Sequence, residues 1–63
     1  MEFVYVLVNG SEWEDMIILL SEEDAISNSI KYPNLTIKVF EKNISGSYTP
    51  TYNYYENGKL ILK

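Results

Sequence analysis

Apolar residues occur in short runs that are separated by polar turns. The first run, Phe3 to Val8, is β-branched and aromatic, and Asn9-Gly10 ends it with a pair that tolerates positive φ. A second apolar run, Trp13 to Leu20, follows at once. Because Asn-Gly between two such runs is typical of a hairpin, both are predicted to be strands. A helix over 12–20, led by acidic residues, is the alternative.

The clearest local signal is a helix that begins after Ser21. Its hydroxyl can cap the first turn, and the acidic residues 22–24 suit the positive end of the helix dipole. Pro33 disfavours helical geometry at the residue before it, so about three turns are predicted. One face of this helix carries small and apolar residues, namely Ala25, Ile26, Ser29 and Ile30. A helix this short is stable only when it packs on a sheet.

The second half of the chain has the two-residue period of strands. From Leu35 to Lys42 apolar and polar residues alternate almost strictly, so the odd-numbered apolar residues are predicted to face the helix. Phe40 breaks the polar side. After a polar loop, residues 52–56 and 59–62 predict a hairpin around Asn57-Gly58.

These elements predict one α+β domain over residues 1–63. Their order is β-β-α-β-β, with a fifth short strand besides, and one short helix packs on a mostly antiparallel sheet as a two-layer sandwich. The sheet face away from the helix is left open in this arrangement, and it would carry Phe40 and several tyrosines.

The composition excludes most catalytic chemistry. The chain has no Cys, no His and no Arg, so disulfides, zinc sites, nucleophile–imidazole pairs and arginine clamps are all unavailable. The acidic clusters at 12–15 and 22–24 are interpreted as flanking a strand and charging a helix end. We therefore predict no enzyme, no metal, no cofactor and no small-molecule substrate. A chain of 63 residues has marginal stability, so association with another chain is also expected.

The charge balance narrows the range of partners. Nine acidic residues against five lysines give a net charge of −4, which disfavours nucleic acid and anionic membranes. Lys38, Lys42, Lys59 and Lys63 can approach one another on the sheet, and they are interpreted as solvated, edge-protecting charges. No stretch approaches the ~20 apolar residues of a membrane span. Without cysteine or an export signal, an intracellular location is predicted.

Tyrosines are concentrated in residues 47–55, which hold four of the six in the chain. Tyrosine offers a large, rigid contact area with a polar tip and is enriched where proteins touch. Tyr52 and Tyr54 should share one side of a strand, with Tyr55 on the other. The alternative is that these rings cover a small core. The predicted partner-contact residues are Trp13, Phe40, Tyr48, Tyr52, Tyr54 and Tyr55.

Three segments carry a resemblance to a known group of proteins: residues 9–15 (NGSEWED), 29–34 (SIKYPN) and 48–55 (YTPTYNYY). Together they resemble short proteins of large DNA viruses of protists and algae, the mimivirus-like group. The resemblance implies a viral protein made in the cytoplasm of an infected cell. It supplies no activity, cofactor or site residue.

The sequence thus predicts a non-catalytic protein-interaction module, an accessory or virion-associated viral protein, that binds a protein partner or self-associates through a sheet edge. The alternative is an acidic inhibitor that blocks the basic, nucleic-acid-binding surface of a host protein. One continuous negative patch formed by residues 12–15 and 22–24 would favour the inhibitor.

Overall fold

The computed structural model describes residues 2–8 and 15–63. Its strands are β1 (Phe3–Val8), β2 (Met16–Leu19), β3 (Ile37–Lys42), β4 (Tyr48–Glu56) and β5 (Lys59–Ile61), and the helix α1 (Glu22–Lys31) lies between β2 and β3. The strands form one antiparallel sheet in the order β2-β1-β3-β4-β5. The predicted α+β class is confirmed. The observed order is β-β-α-β-β-β, which differs slightly from the predicted β-β-α-β-β with a fifth short strand besides.

The second apolar run is a strand in its described part. Met16–Leu19 pairs antiparallel with β1, which places Val6 opposite Ile18. The alternative of a helix over 12–20 is therefore wrong for these residues. The predicted Asn9-Gly10 turn lies outside the described residues.

Helix α1 begins and ends as its capping residues predict. Ser21 has extended backbone angles, and its Oγ accepts a hydrogen bond from the Asp24 N–H at 3.2 Å. The helix stops at Lys31, two residues before Pro33. Ala25 and Ser29 are fully buried, and such small side chains let the helix approach the sheet closely.

Strand β4 begins four residues earlier than the sequence predicts. Pro50, which has no N–H to donate, lies within the added part of the strand and pairs with Phe40. β5 pairs only with residues 54–56 of β4, so Pro50 lies on a free strand edge where no donor is needed. A bulge follows at 51–53, where three residues of β4 oppose Val39 alone.

The hairpin between β4 and β5 turns at Asn57-Gly58, as predicted. Both residues have positive φ, 50° and 82°, which is the pattern of a type I′ turn. The Gly58 N–H donates to Ser29 Oγ at 2.8 Å, so this turn is tied to the helix.

The core lies between the helix and one face of the sheet. Its buried members are Tyr5, Leu7, Ala25, Ile37, Val39 and Tyr55, and Phe3, Leu19, Ile26 and Leu35 pack around them. The prediction that Ile37 and Val39 face the helix is confirmed. In the described part of the chain, α1 is too short and too polar to cross a membrane.

Candidate interaction surface

The sheet face opposite the helix has no layer packed on it in the described part of the chain, and we call it the open face. Strand alternation decides which residues reach it, because neighbouring side chains point to opposite sides of a sheet. In β1 to β3 the odd-numbered residues point to the helix and the even-numbered ones to the open face. The open-face residues of these strands are Val4, Val6, Val8, Met16, Ile18, Lys38, Phe40 and Lys42.

One half of the open face, over β1 and β2, is aliphatic, and we call it the aliphatic half. A shallow groove of about 500 Å³ runs over it, lined mainly by Val4, Val6, Val8, Met16 and Ile18. The side chains of Met16 and Ile18 are 41% and 58% exposed. Exposed apolar side chains that lie side by side mark interaction sites more often than scattered ones do.

The sequence signal for the aliphatic half was the first apolar run itself. Phe3–Val8 is apolar at both odd and even positions, and such a strand is typically covered on both faces. The aromatic residues by themselves do not indicate this half.

A row of paired residues crosses the whole sheet at the centre of the open face. Register pairs link Ile18 to Val6, Val6 to Lys38, Lys38 to Tyr54, and Tyr54 to Ile61. Directly paired side chains are about 4.5–5.5 Å apart at Cβ, so these five are in lateral contact range. Lys38 is the one charged member of this row.

The other half of the open face forms a cleft of about 400 Å³ over β3, β4 and the chain end, which we call the lysine–tyrosine cleft. Its open-face lining consists of Lys38, Phe40, Pro50, Tyr52, Tyr54 and Lys63. The Lys63 N–H donates to Asn53 Oδ1 at 3.1 Å, which holds that residue beside the cleft. Of the four sheet lysines, Lys38 and Lys63 meet here, whereas Lys42 lies at the other end of β3.

Tyr52 occupies the β4 bulge in a backbone conformation that tyrosine rarely adopts. Its φ is 71°, in the left-handed region, while its side chain remains 68% exposed. For a non-glycine residue this conformation costs about 1–2 kcal/mol. Because the ring is exposed, its burial offsets little of that cost. Strain of this kind is concentrated at functional sites. Tyr52 is therefore the strongest single-residue indication of function on the open face.

Tyr48, the first residue of β4, lies on the open face beside Lys42 and close to Glu2, which precedes β1. Its hydroxyl donates to Glu2 Oε2 at 3.1 Å, and this hydrogen bond raises the pKa of Tyr48. Lys42 Nζ lies 3.7 Å from Glu2 Oε1. All three are solvent-exposed, so this cluster contributes little to stability.

Tyr55 belongs to the core and not to the open face. Its ring is 4% exposed and packs edge-on against Tyr5, with the ring centroids 6.0 Å apart. Its hydroxyl donates to Glu22 Oε2. Burial, together with this bond to a carboxylate, raises the pKa of Tyr55 well above its usual value. The prediction of Tyr55 as a partner contact is corrected accordingly, because the odd-numbered position in β4 points to the helix.

Two earlier expectations fall outside the described residues. Trp13, predicted to contact a partner, is one of them. The negative patch that would favour an inhibitor needs residues 12 and 14, which are not described either. The inhibitor therefore stays a prediction.

Comparisons with protein-family models, with curated proteins and with solved structures find no match. The resemblance to viral proteins and the predicted location in a host cell thus stay predictions. The function has to be argued from the open face itself.

Proposed function

We propose that this chain is a non-catalytic protein-interaction module that docks a partner protein on its open face. The observation that carries the proposal is the row of paired residues across the sheet, in which Ile18, Val6, Tyr54 and Ile61 form a nearly continuous apolar strip. A single helix covers the opposite side of a five-stranded sheet. Within the strip Ile18 is 58% exposed, Tyr54 and Ile61 are half-buried, and Val6 is already buried, at 8% exposure.

The two halves of the open face supply complementary kinds of contact. The aliphatic half offers apolar area, and each Å² that a partner removes from water contributes about 25 cal/mol before the costs of association. The lysine–tyrosine cleft adds Phe40, Tyr52 and Tyr54. Aromatic side chains in partly enclosed positions often dominate the energy of protein interfaces. A viral accessory or virion-associated role is compatible with this proposal and forms part of it.

The first prediction concerns where a partner touches the chain. A photo-crosslinking side chain at position 18, on the open face, is expected to capture a protein in the cell of origin. The matched control is position 44, where Ile44 is fully exposed in the loop after β3. Each adduct is quantified by mass spectrometry.

The crosslink from position 18 should fall at least tenfold when Tyr52→Ala and Tyr54→Ala are introduced together, because both rings line the adjoining cleft. Circular dichroism verifies that the double variant is folded. Equal crosslinking from positions 18 and 44, or a crosslink that the folded double variant retains in full, would remove the open face as the docking surface.

A further inference from the structure

We infer that the partner segment is acidic as well as apolar, and that one of its carboxylates pairs with Lys38. This inference rests on the proposed function, since it names the chemistry of the protein that the open face docks.

The position of Lys38 carries the inference. It stands between Val6 and Tyr54 in the central row, on the middle strand of the sheet. In the free chain Lys38 is exposed, so its ammonium group is hydrated. Val6 is already buried, so the exposed apolar area on that side is Ile18, one strand further out. A partner that spans from Ile18 to the lysine–tyrosine cleft must also cover Lys38. A buried ammonium group without a counter-charge costs several kcal/mol, so the partner has to bring a carboxylate to this position.

The described residues of the chain do not supply that carboxylate. Two acidic residues reach the described open face: Glu2, which pairs with Lys42, and Glu56, which lies opposite Lys59 in the β4–β5 register. Within residues 2–8 and 15–63, no carboxylate lies within 4.0 Å of the Lys38 ammonium nitrogen. The nearest additional charge on the lysine–tyrosine cleft is Lys63, which is also positive.

Charge is divided between the two sides of the molecule. Four of the five lysines lie on the open face, namely Lys38, Lys42, Lys59 and Lys63. The helix side carries the acidic first turn of α1, residues 22–24, and Glu41, which pairs with Phe3. An acidic segment is thus attracted to the open face and repelled by the helix side, although the chain as a whole is negative.

Two other occupants fit less well. A second copy packed face to face, with the central rows in register, would place Lys38 against Lys38, and such like charges cost several kcal/mol. Single-stranded nucleic acid would find stacking rings in the lysine–tyrosine cleft. The β1 and β2 side chains of the aliphatic half, however, are all Val, Met and Ile, and rings and a lysine enter its groove only from β3 and β4. An amphipathic protein segment uses both halves.

The test is a selection from a library of random peptides of about 16 residues, a length that spans roughly 24 Å as a helix. Immobilised wild type, Lys38→Glu/Lys63→Glu and Lys31→Glu are each used to select peptides. Lys31 lies in the last turn of α1 and provides the matched control for charge reversal. Single-stranded oligouridylate is titrated in parallel as the nucleic-acid probe.

Peptides selected by wild type are expected to combine Asp or Glu with apolar residues, and to bind the double variant about tenfold more weakly or worse. The double variant should instead select Lys- and Arg-containing peptides, whereas Lys31→Glu should select like wild type. Affinity for the wild-type peptides should also fall as salt rises from about 0.05 to about 0.5 M.

Three outcomes would overturn the inference. Peptides that need Ile18 but show no acidic bias would refute the acidic partner and leave the proposed function standing. Peptides whose binding survives Ile18→Asp in a folded variant would refute both. Oligouridylate binding that is lost in Lys38→Glu/Lys63→Glu, without any peptide selection, would reassign the open face to nucleic acid.

Discussion

Tyr52 shows how one residue can be placed against its own backbone preference. Its left-handed φ arises from the bulge, where the Thr51 hydroxyl donates to the Val39 carbonyl oxygen at 2.9 Å and accepts from the Asn53 N–H at 3.1 Å. These two hydrogen bonds fix the backbone on both sides of Tyr52. The ring is consequently held at the lysine–tyrosine cleft although tyrosine is poorly suited to that conformation.

We expect Tyr52→Asn to raise the free energy of unfolding by about 0.5–1 kcal/mol, because asparagine tolerates positive φ better. The control is Tyr54→Asn, at a half-buried position without positive φ, where the same change should destabilise the chain. Urea unfolding measures both. If Tyr52→Asn destabilises as much as Tyr54→Asn, the strain argument is wrong. Partner binding should weaken in both variants.

Tyr55 makes stability depend on pH at the alkaline end. Because its folded-state pKa is raised, mainly by burial, the folded chain keeps this proton after the unfolded chain has released it. The stabilisation is fully present below the ordinary value of 10.0 and is lost as the pH rises above it. The decline amounts to at most about 1.4 kcal/mol per pH unit for each such group.

The expected result is that Tyr55→Phe lowers stability at pH 7, where it removes the bond to Glu22, and flattens the decline above pH 10. Tyr5, whose pKa burial also raises, should account for part of the remaining slope, which Tyr5→Phe tests. Urea midpoints between about pH 8 and 11.5 provide the measurement. A Tyr55→Phe variant with the wild-type slope would contradict the assignment.

At the scale of elements, a single side chain joins α1 to the β4–β5 hairpin. Ser29 Oγ donates to the Ile26 carbonyl oxygen at 2.7 Å and accepts from the Gly58 N–H. Glycine is favoured at position 58 for two reasons: its φ is +82°, and a Cβ would lie 3.0 Å from Ile30 Cγ1, so the Ile30 side chain would have to shift by a few tenths of an ångström. Helix and turn are therefore matched in shape as well as in hydrogen bonding.

Ser29→Ala should cost about 1–3 kcal/mol, because it leaves the Gly58 N–H without its partner. Ser27→Ala is the matched control, since Ser27 is exposed on the same helix, and a change within about 0.5 kcal/mol is expected there. Thermal and urea unfolding distinguish the two. Equal effects would mean that this contact does not hold the hairpin to the helix.

The elements that sequence reasoning predicted well are those with a strong local signal. Ser21, Pro33 and Asn57-Gly58 each act on their immediate neighbours, so the helix bounds and the last turn were predictable. The early start of β4 was not, because Pro50 is tolerated only where no neighbouring strand pairs on its N–H side. That fact depends on the length of β5, which is a property of the assembled sheet.

The residues of the open face could also be predicted in part from the sequence. Alternation predicted that Phe40 leaves the helix side, and that Tyr52 and Tyr54 share a face apart from Tyr55. It did not show that Lys38 would be flanked by Val6 and Tyr54, because strand order and register decide which residues become lateral neighbours. Tyr55 joined the contact set because a ring in a tyrosine-rich run looks the same whether it faces the core or the solvent.

At the scale of the whole molecule, the chain is slightly less compact than its length allows. Its radius of gyration is 11.2 Å, against about 10.6 Å for a packed domain of this size. The second layer, one ten-residue helix, spans only part of one side of the five-stranded sheet. The described part of the molecule has two layers, a helix and a sheet. Under the proposed function, a docked partner would form a third layer on the open face.

The alternation of side chains along the strands also affects which positions of this chain can be substituted. In β1, β2 and β3 the residues that face the helix and the residues that face the open side occupy alternate positions, and of the latter Val6 alone is buried. Under the proposed function, we expect substitutions at the exposed outward positions to change partner choice without disturbing the residues under the helix. The same separation makes the chain a practical frame for laboratory evolution, in which a randomised sheet surface is varied over an unaltered interior.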